Sequence, residues 1–154
     1  MSQDNPFPTT DLDRHAIWEI VVRRDTNFFL SGDWSLVEDD YLADGFIGID
    51  AHASPDPDRW TIGFRSLADY RDAAIAGRLK PEDFAEDLRT AWLRCQSLSH
   101  IDIAGDLALA HKRLYGSIAL RRQPPMAFAW RSIFHLRRVQ GSWKITGFTG
   151  YLPL

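Results

Sequence analysis

The residues best suited to chemistry in this chain are two aspartates that stand among apolar neighbours. Asp50 ends the stretch GFIGID, residues 45–50, which alternates as a strand does, and it shares a strand face with Phe46 and Gly48. Partial desolvation makes a carboxylate a stronger base, so Asp50 is a candidate for proton transfer. The alternative is a solvated Asp50 that caps the turn after the strand.

The second aspartate, Asp25, falls inside the apolar stripe of the predicted first helix. That stripe consists of Trp18, Val21, Val22, Phe28 and Phe29. The non-catalytic interpretation of Asp25 is a buried ion pair with an arginine.

The five histidines, at positions 15, 52, 100, 111 and 135, lack the spacing of metal ligands on one helix or hairpin. No Gly-rich phosphate loop, nucleophile elbow or dinucleotide fingerprint is present either. We therefore expect no metal and no cofactor, which leaves acid–base chemistry. His111 shares a strand face with Leu107, Leu109 and Tyr115, and this face is a candidate pocket lining.

Composition narrows the class of protein. The 154 residues are 45% hydrophobic with a net charge of −3, which predicts one folded domain and argues against nucleic acid or an anionic membrane as partner. The single cysteine, Cys95, excludes an intramolecular disulfide and is predicted to be a small buried thiol. With no leader-like start and no long apolar run, we expect a cytoplasmic protein.

The elements that position these residues are helices first and strands later. Residues 1–10 are predicted to form a flexible arm, and 11–154 a single domain. The first predicted helix starts near Thr10 and ends at Gly32. Further helices are predicted at 35–42, 66–77 and 81–94, and a strand is predicted at 46–50. Four strands follow residue 96, with short turns that favour an antiparallel meander. This order predicts an α+β domain.

Three stretches carry a resemblance to a known superfamily: FFLSGDWSLVEDDYLADGFIGID, IAGDLALAHKRLYG and WRSIFHLRRVQGSWKITGF. They resemble the nuclear transport factor 2-like superfamily, which includes ketosteroid isomerases, SnoaL-like polyketide cyclases and scytalone dehydratase. The resemblance implies a cystatin-like cone, in which N-terminal helices pack on a curved antiparallel sheet around an apolar pocket. It also implies a homodimer formed through the outer sheet face.

The resemblance to ketosteroid isomerases places Asp50 at the general-base position. Asp25 matches the tyrosine that donates to the oxyanion, a role that only a protonated aspartate can take. An ionised Asp25 would instead accept from a His, Arg or Tyr and orient it. Ser132 matches the acid of the oxyanion site and is a weaker donor, so steroid isomerisation is not predicted.

The resemblance to dehydratase-like members makes His100 a candidate partner of the helix aspartate. Most aromatic residues are predicted to be core, while a minority shape the pocket. The residues predicted to line the pocket are Trp18, Phe29, Phe46, His111, Tyr115, Trp130 and Ser132. The helix at 81–94 either covers the pocket as a lid or packs at the edge of the sheet.

The resulting hypothesis is a SnoaL-like protein whose apolar pocket binds a small carbonyl-bearing molecule. Its reaction would be cofactor-independent proton transfer, as in an isomerase, dehydratase or cyclase, with Asp50, Asp25 and His100 as catalytic candidates. The alternative is a non-catalytic ligand-binding or dimerisation module of the same fold.

Overall fold

The computed structural model describes residues 4–154, in which a long N-terminal helix packs against one face of a six-stranded sheet. The helix has three consecutive parts, α1 (Leu12–Trp18), a π-helical segment (Glu19–Arg24) and α2 (Asp25–Ser31). Asp11 caps α1 by accepting from the backbone N–H of Arg14, one residue after the predicted start. Gly32 ends α2 with a φ of 74°, as predicted.

The remaining helices are short. Those of α type are α3 (Leu67–Ala76) and α4 (Leu88–Arg94), and the 3₁₀ turns are Trp34–Leu36, Glu38–Asp40, Pro57–Arg59 and Pro81–Asp83. Ser66 caps α3 as predicted. The predicted helix at 81–94 is split because Phe84 is extended and forms an isolated bridge with Leu120. The predicted helix at 35–42 consists of two 3₁₀ turns.

The strands are β1 (Ile47–Asp50), β2 (Thr61–Phe64), β3 (Gln96–Ala104), β4 (Leu107–Ile118), β5 (Met126–Val139) and β6 (Ser142–Leu152). Their order in the sheet is β2-β1-β6-β5-β4-β3. Strands β3 to β6 form the predicted antiparallel meander, whereas β1 pairs in parallel with β6. The α+β class is confirmed, and the sheet is mixed rather than wholly antiparallel. Strand β2 was not predicted, because its four residues follow a proline-rich loop.

The core lies between the helices and the inner face of the sheet, which is the face that contacts the N-terminal helix. One cluster contains Trp18, Phe28, Phe46 and Ile145, and a second contains Phe84, Leu88, Trp92 and Phe128. Cys95 is buried in the second cluster, and its burial raises the pKa of the thiol. Each helix is thereby fixed to the sheet by apolar side chains.

Residues 4–10 run beside the N-terminal helix, and residues 1–3 of the predicted arm lie outside the described residues. The side-chain amide of Asn5 donates to the carbonyl of His15 at 3.0 Å, and Phe7 packs against the first core cluster. Among residues 4–154, no helix has both the length and the apolar character needed to cross a membrane.

Candidate functional site

A cavity of about 490 Å³, called the inner cavity below, lies between α2, α3, α4 and the inner face of the sheet. This volume is typical of small-molecule sites. Its apolar wall includes Phe29, Phe64, Trp92, Leu114, Trp130, Phe134 and Phe148. Polar groups also line it, from Asp25, Asp50, Lys112 and Ser132 and from the hydroxyl-bearing Tyr70 and Tyr151. The arrangement is a mainly apolar wall with a few polar groups, which suits recognition of a small organic molecule.

The best-defined polar contact in the cavity is an ion pair between Lys112 and Asp25. Lys112 Nζ lies 3.1 Å from Asp25 Oδ2 and donates to the carbonyl of Val21 at 2.8 Å. The lysine side chain is 4% exposed and the aspartate side chain 19%. Two of the three N–H donors of the ammonium are thus used, and within residues 4–154 no protein acceptor is found for the third. Lys112 also lines the cavity, and its Nζ lies 5.7 Å from the centroid of the Phe134 ring.

The ion pair with Lys112 bears on the alternatives given above for Asp25, which were a protonated donor, an acceptor that orients another side chain, and a buried ion pair. The aspartate is paired, as the non-catalytic interpretation expected, but its partner is a lysine from β4 rather than an arginine. Lys112 was not predicted, because the sequence analysis placed the preceding residue, His111, on the pocket face and Lys112 therefore on the opposite face. The available signal was the alternation Ala108, Ala110, Lys112, in which small side chains leave room for the helix.

The π-helical segment determines where Asp25 lies. In this segment the Asp25 N–H donates to the carbonyl of Ile20, five residues earlier, instead of the usual four. Arg24, its last residue, forms a bidentate pair with the buried Asp40, with both N···O distances at 2.8 Å. The hydrogen bonds to Asp40 raise the pKa of the Arg24 guanidinium. This pair holds the segment in place while the following residue turns into the cavity.

Two tyrosines, the buried Tyr41 and the half-buried Tyr70, lie near Asp25. Their hydroxyls are hydrogen-bonded to each other, and Tyr70 also lines the cavity. Burial raises the pKa of both hydroxyls well above 10, and the negative charge of Asp25 raises both further. Both phenols therefore stay neutral at physiological pH and can act as hydrogen-bond donors.

Asp50 lies at the mouth of the cavity, with its side chain 32% exposed. Its Oδ1 accepts from the backbone N–H of His52 at 2.8 Å, which is the turn cap of the non-catalytic interpretation. The same carboxylate lines the cavity and, together with burial, raises the pKa of the Tyr151 hydroxyl. Capping the turn and facing the cavity are therefore compatible for this residue.

The sheet places Ser132 directly beside Lys112. These two residues are cross-strand partners between β4 and β5, and the adjacent inward-facing pair is Leu114 with Trp130. Partners of this kind have Cβ atoms about 5 Å apart on the same face. The two side chains thus start side by side on the cavity wall. The indole of Trp130 packs against Tyr151, with ring centroids 5.1 Å apart.

No family model matches the chain, and no curated protein sequence matches it. Solved structures do resemble it. A nuclear transport factor 2-like protein of unknown function from Shewanella baltica is 18% identical, with 94% of this chain and 96% of that chain covered at a TM-score of 0.57. A nuclear transport factor 2-like protein with a cystatin-like fold from Novosphingobium aromaticivorans is 15% identical, covering 92% and 82% at a TM-score of 0.57.

The chain has the nuclear transport factor 2-like fold. A candidate scytalone dehydratase from Novosphingobium aromaticivorans has it too, with 11% identity, 92% of this chain and 85% of that chain covered, and a TM-score of 0.56. Identities this low show the fold alone, and they confirm at that level the resemblance seen in the sequence. Function has to be argued from the site.

Within this nuclear transport factor 2-like fold, five of the ten predicted site residues line the inner cavity. They are Asp25, Phe29, Asp50, Trp130 and Ser132. Trp18 and Phe46 do not line it, because both are at most 1% exposed within the first core cluster. α4 packs against α2, β4 and the edge strand β3, as the second alternative predicted, and it also contributes Trp92 to the cavity wall.

His100, His111 and Tyr115 lie on the outer face of the sheet, which faces away from the helices, and the pocket positions predicted for them need correction. For His111 and Tyr115 the reason is that β4 turns Ala110, Lys112 and Leu114 inward. For His100 the reason is a β-bulge between Ser97 and His100, which changes the alternation of β3.

Proposed function

We propose that the inner cavity binds a small, mainly apolar molecule with a carbonyl group and catalyses proton transfer next to that carbonyl. The observation that carries the proposal is that a carboxylate, Asp50, and an ammonium, Lys112, line one apolar cavity. A base and a hydrogen-bond donor of this kind are the two groups that enolisation requires.

In the proposed reaction, Asp50 removes the proton from the carbon next to the carbonyl. The C–H bond breaks, its electron pair moves into the forming C=C bond, and the carbonyl oxygen becomes an enolate. The Lys112 ammonium and the Ser132 hydroxyl donate to that oxygen, where negative charge develops. Asp50 then returns a proton to the same carbon, which gives exchange, or, when a C=C bond of the substrate is conjugated with the enolate, to the γ-carbon, which gives isomerisation.

Asp25 takes a supporting part in this mechanism. It pairs with Lys112 and so holds the ammonium at the cavity wall, while Tyr70 keeps a neutral hydroxyl near the carboxylate. Neither His100 nor His111 has a part, because both face away from the cavity. The cofactor-free acid–base chemistry expected from the sequence therefore falls to Asp50, Lys112 and Ser132.

The test uses α-deuteration of a panel of enolisable ketones in D₂O, followed by proton NMR. Wild-type protein should exchange at least one ketone faster than buffer alone. Asp50→Asn should slow that exchange by about 10²- to 10⁴-fold, the usual contribution of a general base. The asparagine side-chain oxygen can still accept from His52, so the fold should be retained. Undiminished exchange in Asp50→Asn would rule out this base.

A second candidate, a ligand-binding module without catalysis, is favoured by the pairing of Lys112 with Asp25, which already neutralises the lysine. This candidate predicts that a ketone of the panel binds in the cavity and is not deuterated. Binding is measured as protection of the fluorescence of Trp92 and Trp130 from a quencher. Loss of that binding in Lys112→Met would place the ligand carbonyl on the ammonium.

We also propose that a second copy of the chain covers the outer sheet face. Leu107, Leu109 and Tyr115 on β4 are 62%, 42% and 63% exposed there, which is unusual for large apolar side chains on one strand. Light scattering at micromolar concentration should give a dimer, and Leu109→Glu should give a monomer. A monomeric wild-type protein would contradict the proposal.

A further inference from the structure

Three side chains with metal-ligand chemistry meet on the outer face of the sheet, away from the inner cavity. His100 and His111 are direct partners across β3 and β4, and Asp102 lies two residues beyond His100 on the same face. Their ligand atoms all lie within 4.8 Å of one another. We name these three residues the outer-face triad.

The distances within the outer-face triad suit one small cation. Asp102 Oδ2 lies 3.2 Å from His100 Nε2 and 3.1 Å from His111 Nε2. Ligands of a tetrahedral Zn²⁺ ion, at bond lengths of about 2.0–2.1 Å, are about 3.3–3.4 Å from each other. Asp102 Oδ2 is therefore already placed to share an ion with either imidazole nitrogen, and the third pair of ligand atoms, one from each histidine, lies within 4.8 Å.

A β-bulge creates the outer-face triad. Ser97 pairs with Arg113 before the bulge, and His100 pairs with His111 after it. Three steps along β3 thus correspond to two steps along β4, which means that β3 contains one extra residue. Ser99 and His100 are consecutive and both exposed as a result. Without the extra residue, position 100 would lie opposite Ala110 and point inward. Bulges commonly re-aim a side chain in this way, and they are frequent beside functional sites.

The chemistry of the three ligands selects the type of ion. Two neutral imidazoles and one carboxylate carry a single negative charge, which suits a divalent ion, and imidazole favours zinc, copper, nickel and iron over magnesium or calcium. In the single chain the Asp102 and His100 side chains are 57% and 65% exposed, and the proposed dimer surface begins beside them, because Asp102 is the cross-strand partner of Leu109. We propose that His100, Asp102 and His111 bind a divalent transition-metal ion of the zinc type on the outer face of the sheet.

Such an ion would keep at least one position open, because the protein supplies three ligands. A depression of about 240 Å³ adjoins His111, and its lining includes Ser97, Ser99, Arg113 and Arg131. Hydroxyls and guanidinium groups are suited to carboxylate or phosphate oxygens. We expect the open position to take a small oxyanion, for which acetate is a convenient probe.

The test titrates untagged full-length protein with Zn²⁺ by calorimetry. Wild type should bind one ion per chain, and His111→Ala or Asp102→Ala should weaken the affinity by more than about 100-fold, because even indirect supporting contacts are worth 10- to 100-fold. The matched control is His135→Ala, which removes an unrelated histidine from β5 and should leave Zn²⁺ affinity within about twofold of wild type.

Two results would overturn the proposal. One is equal Zn²⁺ binding by wild type and the double variant His100→Ala/His111→Ala, and the other is an equal loss in His135→Ala. Circular dichroism of each variant checks that the fold is intact, which is expected because the triad is exposed.

Cobalt(II) provides a second measurement: bound to the triad it should give a visible spectrum that acetate shifts, and a spectrum unaffected by acetate would refute the oxyanion position. The outcome is independent of the inner cavity.

Discussion

Lys112 and His111 are consecutive residues of β4, yet they lie in opposite environments. The lysine points inward, is almost wholly buried and is bound to Asp25 and to the helix carbonyl of Val21. The histidine points outward, is partly exposed, and lies 3.1 Å from Asp102 Oδ2, with its ring centroid 4.7 Å from that of His100. We therefore expect these two neighbours on one strand to contribute very differently to folding stability.

The largest expected difference concerns stability. Lys112→Met removes one member of a mostly buried ion pair and leaves Asp25 without its cation, so the free energy of unfolding should fall by about 3 kcal/mol. Urea denaturation measures the change. The double variant Asp25→Leu/Lys112→Met should recover most of that loss, because an apolar pair leaves no buried charge. A loss below about 1 kcal/mol for the single variant would mean that the inner pair is no more structural than a surface pair.

A smaller effect is expected for Tyr70→Phe, which removes the hydrogen bond to Tyr41 and should cost about 1 kcal/mol. The pKa of Tyr70 is raised in the folded protein, so its stabilising contribution is complete below the unfolded value near 10 and is lost as pH rises above it. Urea denaturation between pH 9 and 11 should show stability falling, with a shallower fall in Tyr70→Phe. The control is Tyr115→Phe on the exposed outer face, whose profile should match wild type.

The smallest effect on stability is expected for His111→Ala, within about 0.5 kcal/mol of wild type, because exposed positions contribute little. The same variant should abolish tight Zn²⁺ binding. Thermal denaturation with and without Zn²⁺ measures both quantities: the ion should raise the midpoint of wild type and leave that of His111→Ala unchanged. If His111→Ala destabilised the protein as much as Lys112→Met, the two faces of β4 would be energetically alike.

Much of the fold could be predicted because its signals are local. The cap at Ser66, the stop at Gly32 and the turns between β3 and β6 each depend on a few neighbouring residues, whereas the first helix is capped by Asp11 rather than by the predicted Thr10. The pairing of β1 with β6 could not be predicted, since the strands are far apart in sequence and no short turn joins them. The split of helix 81–94 also depends on a distant partner, Leu120.

The site was predictable where an unusual residue interrupts a regular pattern. Asp25 in an apolar helix stripe and Asp50 at the end of an alternating strand both line the inner cavity. Lys112 was missed because the leucines at 107 and 109 made the other face of β4 resemble a pocket lining. In this part of β4 the large apolar residues Leu107 and Leu109 are exposed, and the small residues Ala108 and Ala110 are buried.

The outer-face triad had a signal in the sequence that was not used. His100 lies five residues before Gly105, and His111 lies five residues after Asp106, so the two histidines are symmetric about the hairpin turn. Residues equidistant from a two-residue turn are direct partners in the hairpin. The bulge lies before His100, so the register between His100 and the turn is regular. Counting outward from the turn therefore predicts that His100 and His111 are partners, whereas following the alternation of β3 from its start at Gln96 places His100 on the wrong face.

The π-helical segment is a place where the N-terminal helix can change its length by one residue. It fits one more residue into its turn than an α-helix would, whereas in regular α-helix a single residue corresponds to a rotation of about 100°. Removing one residue from 19–24 would close this turn to ordinary winding and leave α1 and α2 on the faces that they now present. A deletion inside α1 has no extra residue to absorb it and would turn the preceding residues by about 100° relative to Asp25, so a homologue one residue shorter at 19–24 can keep the same partner for its lysine.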